Sequence, residues 1–382
     1  VAGKPKTTEY PRIAEIGPVR RLVVKVGSAV IADKGRLRNK VIADLAYEVT
    51  VLMHQGYEVV MVVSGAVAAG FTGLEMNKPP VEVVERQAAA CLGQYKLMTR
   101  FSAAFEKHRI KIAQLLMMSE DIEQRRRYLS ARHTLGYLIE HGVVPVINEN
   151  DPLADDEQKI GDNDHLAALI TSLVSADLLV ILSVAPGVYE NGGDKIIERV
   201  AVGSSVEKHI ADSISASGVG GMAAKVSAAD LASRWGAATV IADGKQPGLL
   251  RKIVAGESIG TLFVPRNRSL NARKRWIAVR TKSRGTIHVD RGAKNAIVSR
   301  GASLLPSGIV DVSGRFTMGA RVDITDDADH PFAVGLVSYS ADEIRRMMGR
   351  KRGEYEAVLG YKYVDEIIHR DDLVLLDGDG DE

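Results

Sequence analysis

Cysteine is almost missing: residue 91 is the one thiol in 382 residues. A lone cysteine excludes an internal disulfide framework. Set in the apolar run AAACLGQ, it reads as a buried, inert thiol in a reducing, cytoplasmic compartment. Long apolar runs are lacking too. The most apolar region, residues 166–188, is broken by Asp177 and Pro186, which argues against a membrane span there. The leading segment VAGKPKTTEYPRIAEIGPVRR has no apolar stretch of the ~7–15 residues a secretory signal needs, and reads as a mobile arm. Charge of one sign is also scarce, at a formal net +2, which singles out no class of partner. What is present is ordinary for a globular chain, 46% hydrophobic and 26% charged, and the length suggests two domains.

Up to about residue 265, short β-branched runs alternate with longer amphipathic ones. RLVVKVG (21–27), YEVVMVVSG (57–65), IKIAQLL (110–116), VVPVI (143–147), DLLVILS (177–183) and ATVIAD (238–243) read as buried strands. Between them, residues 41–55, 122–141, 165–174 and 223–235 follow a helical period. This rhythm predicts an α/β domain with a parallel or mixed sheet covered by helices on both faces. Small and polar residues follow several strands, and ligands of such sheets bind beyond the strands' carboxyl ends, so these turns are expected to share one crevice. The polar, basic stretch RNRSLNARKR reads as a linker. After it, GTIHVD, GIVDVSG, ARVDIT and AVGLVSY alternate with turn signals around one helix at 341–348, as in a small β-rich domain. The expected division is an arm at 1–20, an α/β domain at 21–265, a linker at 266–275, a β-rich domain at 276–372 and an acidic tail at 373–382, DGDGDE at its end reading as disordered.

Four stretches carry chemistry. NENDPLADDEQKIGDND (148–164) puts seven carboxylates beside one lysine. Such a segment repels itself unless a metal, a cationic part of a substrate or only water answers it. It does not fit the calcium-loop pattern and holds no His or Cys ligand. Asp162, Asn163 and Asp164 precede a helical run, where carboxylates serve as caps. KVGSA (25–29) ends the first strand with a lysine that needs a reason to be buried: with Gly27 and Ser28 it either meets a phosphate or snorkels from an edge. SGAVAAG (64–70) is a strand-to-helix turn suited either to an anion or to close helix packing. GVGGMAAK (218–225) is a glycine-rich loop opening a helix, either around nucleotide phosphates or as a flexible surface loop.

In this order the four motifs resemble the amino acid kinase superfamily and, within it, the glutamate 5-kinase family, over residues 20–372. VVKVGS, VVSGAVAAG, VPVINEND, KIGDNDHLAAL, GVGGMAAK and GTLFVPRNRSLNARKRWI carry the likeness. GTIHVDRGAKNAIVSRGASLLPSGIVDVSGRF and LGYKYVDEIIHRDDLVLL resemble that family's C-terminal PUA domain. The resemblance implies a three-layer amino acid kinase fold with an open, mainly parallel sheet, followed by a β-rich PUA-like domain. It implies phosphoryl transfer from ATP to the side-chain carboxylate of L-glutamate, the first step of proline biosynthesis, with Mg²⁺ arriving on the nucleotide rather than on protein ligands.

By the same resemblance, Lys25 and Lys225 hold the β/γ-phosphates, Asp164 orients both, and Gly27 and Gly65 offer backbone N–H groups to the transferring phosphoryl. Ser64, Asn148, Asp151, Asp162 and Asn163 grip glutamate, the carboxylates its ammonium and the amides its α-carboxylate. Ser183, Gly218, Val219, Gly220, Gly221 and Met222 join the lysines around ATP. Expected partners are proline as feedback inhibitor, glutamyl phosphate reductase, and further copies of the chain in a dimer or tetramer. The basic run RRMMGRKRG (345–353) reads as a solvated face short of stacking aromatics, so RNA is not an expected partner, and neither is a membrane, given the broken apolar region 166–188. The sequence departs from the family pattern at Val184, where an acidic residue is usual, at Pro186, and at Val63, Val219 and Ala224, where hydroxyls are common. All but Pro186 replace a polar group with an apolar one, most on the nucleotide side. They motivate an alternative: a catalytically weakened member acting as an amino-acid-sensing or structural subunit.

Overall fold

A computed structural model describes residues 12–153, 163–190, 193, 195–201, 221–265, 283–350 and 352–376. They form two compact units, the first drawn from Val1–Ile122 and Ala131–Arg268, the second from Glu123–Ser130 and Ser269–Glu382. Among the described residues no helix is long and apolar enough to cross a membrane.

The first unit is built on an eight-stranded sheet. Its strands are β1 (Arg21–Val26), β4 (Glu58–Val63), β5 (Ile112–Met117), β6 (Val144–Glu149), β7 (Leu178–Ser183), β8 (Arg199–Ala201), β9 (Ala238–Asp243) and β10 (Thr261–Val264); β2 (Ala32–Asp33) and β3 (Arg36–Leu37) make a separate small hairpin. The sheet order is β5-β6-β4-β1-β7-β9-β10-β8, and every pairing is parallel except β9 with β10. The strands expected from the β-branched runs are all present, and β8 and β10 extend the sheet beyond them.

Period-two alternation divides the sheet's two faces. Leu22, Val24 and Val26 of β1 and Leu178, Val180 and Leu182 of β7 point into a core shared with the helices Asn39–His54 and Val83–Glu106. Each such fully buried side chain contributes about 1.5–3 kcal/mol. The other face of β1, carrying Val23 and Lys25, meets the helix Asn163–Leu173, which packs on β1, β4 and β7. That helix and Met222–Arg234 also lie against each other, which brings their first turns together beyond the carboxyl ends of the central strands.

Two sequence expectations change here. The arm is already fixed at residue 12: Arg12–Ile16 is helical, Ile16 enters the core, and the Arg12 guanidinium donates to the carbonyls of Ile259 (2.5 Å), Glu198 (2.8 Å) and Gly260 (3.1 Å). These carbonyls lie beside the strands β10 and β8, where a donor from the arm satisfies them. Cys91 is exposed rather than buried. On the helix Val83–Glu106 it is Ala89, Ala90 and Gly93 that face inward, and Cys91 falls on the outer side of the same turn. The expected linker 266–275 lies outside the described residues.

The second unit holds a five-stranded sheet in the order β12-β11-β13-β14-β15, with β11 at Gly285–Val289, β12 at Ile309–Gly314, β13 at Arg321–Thr325, β14 at Pro331–Leu336 and β15 at Leu373–Leu375. Helix Arg291–Arg300 is capped by the Asp290 carboxylate, which accepts from Ala293 N at 2.7 Å, and helix Ala341–Met347 by a reciprocal Ser340–Glu343 capping box. Their apolar sides join one core with Ile287, Ile324, Tyr339 and Ile368. β15 pairs antiparallel with β14, so residues 373–375 belong to this sheet and not to the acidic tail; residues 377–382 lie outside the described range.

Candidate active site

β4, β1 and β7 are adjacent and parallel, and their carboxyl ends fall level: Val26 is in register with Val63, Gly27 N donates to Leu182 O and Ser64 N to Val26 O, both at 3.0 Å. The turns that leave these strands therefore open on one cleft of about 590 Å³. It is lined by Gly27 and Ser28, by Ser64 and Gly65, and by Ser183 and Val184, with Asp151, Asn163, Gly221, Met222 and both lysines 25 and 225 completing it. Gly65 sits at φ +106°, where a side chain is strained, and at Gly27 a Cβ would press on Leu182 O at 3.2 Å. Backbone can thus approach a ligand at both turns.

Lys25, Asp164 and Lys225 come together although they are far apart in sequence. Lys25 Nζ lies 2.7 Å from Asp164 Oδ1, and Lys225 Nζ lies 3.1 Å from Asp164 Oδ2, with all three side chains buried. Asp164 occupies the first turn of its helix, where the dipole favours a carboxylate. Two ammonium groups and one carboxylate leave these three with one positive charge in excess at the cleft wall. Positive charge gathered at a buried wall favours an anion in the cleft.

The other polar wall has the opposite need. Asp151, 4% exposed at the end of β6, has its carboxyl pushed up to about 6 by burial, an effect partly offset by the charge of Arg86. Its Oδ1 and the Oδ1 of Asn163 are buried with no hydrogen-bond donor among the described residues. A ligand that brings N–H donors fits there. Ser64 lines the same cleft.

Asn148 does not join them. Only 1% exposed, it donates from Nδ2 to Gln94 Oε1 at 2.7 Å and accepts from Glu149 N at 2.9 Å, so its amide serves the helix contact instead. Asp162, Gly218, Val219 and Gly220 lie outside the described residues. Val184 lines the cleft and is half exposed, a hydrophobic side chain facing the ligand space. Two contributors escape sequence reasoning. Arg86 lines the cleft from the first turns of the helix Val83–Glu106 without any motif around it, and the Pro79–Pro80 pair lines it too.

The helix that carries Arg86 is held by a glycine crossing. A Cβ on Gly93 would fall 1.7 Å from Ala66 O, and one on Gly70 would fall 1.8 Å from Ala89 O. Of the two readings of SGAVAAG, close helix packing is present at Gly70, while Ser64 and Gly65 line the cleft.

An open α/β sheet with one buried lysine at the end of β1 and a second on a neighbouring helix, sharing one aspartate beside glycine turns, makes a site suited to an anionic group. The chain belongs to the amino acid kinase family, whose model matches residues 20–243, and a PUA domain model matches residues 285–359. Its similar relatives are glutamate 5-kinases: that of Syntrophotalea carbinolica is 45% identical over 368 residues, spanning 94% of this chain and 98% of the relative. Those of Pelobacter propionicus (43% identical, 94% and 98% covered) and Teredinibacter turnerae (44%, 93% and 97%) are similar to the same extent.

Proposed function

We propose that this protein transfers the γ-phosphoryl group of ATP to the side-chain carboxylate of L-glutamate, giving γ-glutamyl phosphate and ADP and so opening proline biosynthesis. The observation that carries this reading is the buried Lys25–Asp164–Lys225 array between a glycine-lined wall and an acidic one. The nucleophile is a carboxylate already ionised at neutral pH, so no general base is required. Both reactants are anionic, and catalysis rests on holding them close and neutralising their charge.

Each residue then has a task. Lys25 and Lys225 hold the β/γ-phosphates, Asp164 fixes their two ammonium groups, and Gly27 and Gly65 present backbone N–H groups. Ser183, Gly221 and Met222 flank the nucleotide. Ser64, Asp151 and Asn163 receive glutamate, the ammonium going to the buried oxygens of Asp151 and Asn163. Mg²⁺ arriving with the nucleotide would supply charge neutralisation at the phosphates. The apolar surface of Val184 replaces a polar contact to ATP, and one lost hydrogen bond weakens binding by about 0.5–1.5 kcal/mol, a matter of KM rather than of chemistry. The lysines and their aspartate are in place, which favours the active enzyme over a sensing or structural subunit.

The test is ADP release with ATP and Mg²⁺: it rises with added glutamate on this account. Glutamate binding without turnover would favour the sensing subunit instead. Proline as inhibitor, a reductase consuming the acyl phosphate and a cytoplasmic setting follow from this role. We also propose self-association through the outer side of the helix Val83–Glu106. Exposed Val84, Leu92 and Tyr95 lie there between acidic Glu82 and Glu85 at one end and basic Lys96 and Arg100 towards the other. Such a face complements a second copy of itself laid antiparallel across a two-fold axis.

A further inference from the structure

The two lysines of the cleft go to Asp164, and the third cation of its wall is Arg86. Arg86 stands by Asp151 closely enough that its charge acts on that carboxyl, and the turn Asp151–Leu153 packs on the helix that carries it. A cation and a carboxylate thus line the same cleft, within electrostatic reach of each other. The carboxylate is 4% exposed and its Oδ1 accepts no hydrogen bond among the described residues. An α-amino acid head is the mirror of this pair: an ammonium and a carboxylate on one carbon. Asn148, one of the two amides expected to meet the α-carboxylate, is spent on Gln94 and Glu149.

We infer that Arg86 binds the α-carboxylate of the amino-acid substrate while Asp151 takes its α-ammonium, so that the two together select a free α-amino acid. The inference rests on the proposed activity and adds its specificity. A guanidinium suits the task because its planar fork meets both oxygens of a carboxylate at once. Its place in the first turns of a 24-residue helix adds a dipole of the same sign. The Gly70–Gly93 crossing fixes that helix, so the position of Arg86 along the cleft is set before substrate arrives. The γ-carboxylate is thereby directed to the lysine end, where the phosphoryl group is delivered.

The experiment pairs side-chain changes with substrate changes. Glutamate, 4-aminobutyrate (no α-carboxylate) and glutarate (no α-ammonium) are compared by kcat/KM, or as competitive inhibitors of glutamate, in wild type, Arg86→Gln, Arg86→Lys and Asp151→Asn. Arg86→Gln is expected to raise KM for glutamate by about 10–100-fold, the range for a charge-assisted bond, with kcat changed by less than about threefold. In that variant the penalty for lacking an α-carboxylate disappears, whereas the penalty for glutarate stays. Asp151→Asn shows the converse, and Arg86→Lys recovers part of the KM.

If Arg86→Gln weakens all three ligands by one common factor, Arg86 only supports Asp151 and the inference is overturned. Thermal unfolding of each variant separates that outcome from misfolding, because a destabilised protein cannot change the ratio between ligands. Absence of glutamate-dependent turnover in wild type defeats the proposed activity itself, and glutamate binding measured directly still tests Arg86.

Discussion

At the scale of single residues, Asp164 is the hinge of the account. It holds two ammonium groups in a buried place, so replacing it removes a partner from both. Asp164→Ala is expected to lower kcat by at least ~10²-fold and to cost about 3–5 kcal/mol of stability, because two buried lysines lose the carboxylate they share. Urea unfolding and saturating kinetics on the same preparation check both numbers. Asp151 behaves in the opposite way. Its folded carboxyl titrates near 6, above its ordinary 3.8, so the stability it allows is fully present below the unfolded value and is lost as pH rises through about 6. Asp151→Asn should therefore be more stable than wild type at pH 7 while binding glutamate poorly. An ammonium ligand needs the ionised carboxylate, so KM for glutamate is expected to fall as pH rises to about 6 and then level off. A KM flat from pH 5 to 8 contradicts this assignment.

How far these residues were legible differs from case to case. Lys25, Asp164, Ser64 and Gly65 stand at the ends of strands or the starts of helices, where the pattern of the chain already fixes their direction. Asn148 carries the same motif, but its rotamer is settled by Gln94, 54 residues away, which no local pattern displays. Arg86 has no motif at all; only the packing of its helix brings it to the cleft.

At the scale of elements, the crossing of Ala66–Gly70 with Val83–Glu106 sets the width of the cleft on its amino-acid side. The small residues of AVAAG and of AAACLG were visible in sequence, and their inward phase places Gly70 against Gly93. What sequence could not supply is the distance: at 1.7 Å from Ala66 O, a Cβ on Gly93 forces the helices apart. Gly93→Ala is expected to cost at least ~1–3 kcal/mol by overpacking. Because the shift carries Arg86 with it, KM for glutamate should rise more than KM for ATP. A destabilised variant with both KM values unchanged would mean that the crossing supports the fold alone. The misread phase of Cys91 comes from the same helix, where an apolar run hides an outward turn.

At the scale of the whole molecule, the two-unit division was foreseeable from the change in pattern after residue 265, and its edges were not. The arm is anchored by carbonyls some 250 residues away, and β15 is recruited by β14 from a stretch that reads as the start of an acidic tail. Long-range pairing of this kind leaves no local periodicity. Self-association belongs to this scale as well. Glu85→Lys and Lys96→Glu are each expected to weaken the oligomer in light scattering at moderate salt, and the double reversal to restore it. If neither change alters the mass, the outer face of that helix is not the interface.

The central claim is that the side-chain carboxylate of glutamate receives the phosphoryl group at the Lys25–Asp164–Lys225 array. Trapping the product with hydroxylamine and identifying the hydroxamate by mass spectrometry tests it directly. The account predicts γ-glutamyl hydroxamate, formed only with glutamate, ATP and Mg²⁺ together and lost in Lys225→Ala. An α-hydroxamate, or a γ-hydroxamate formed equally well by Lys225→Ala, would contradict it.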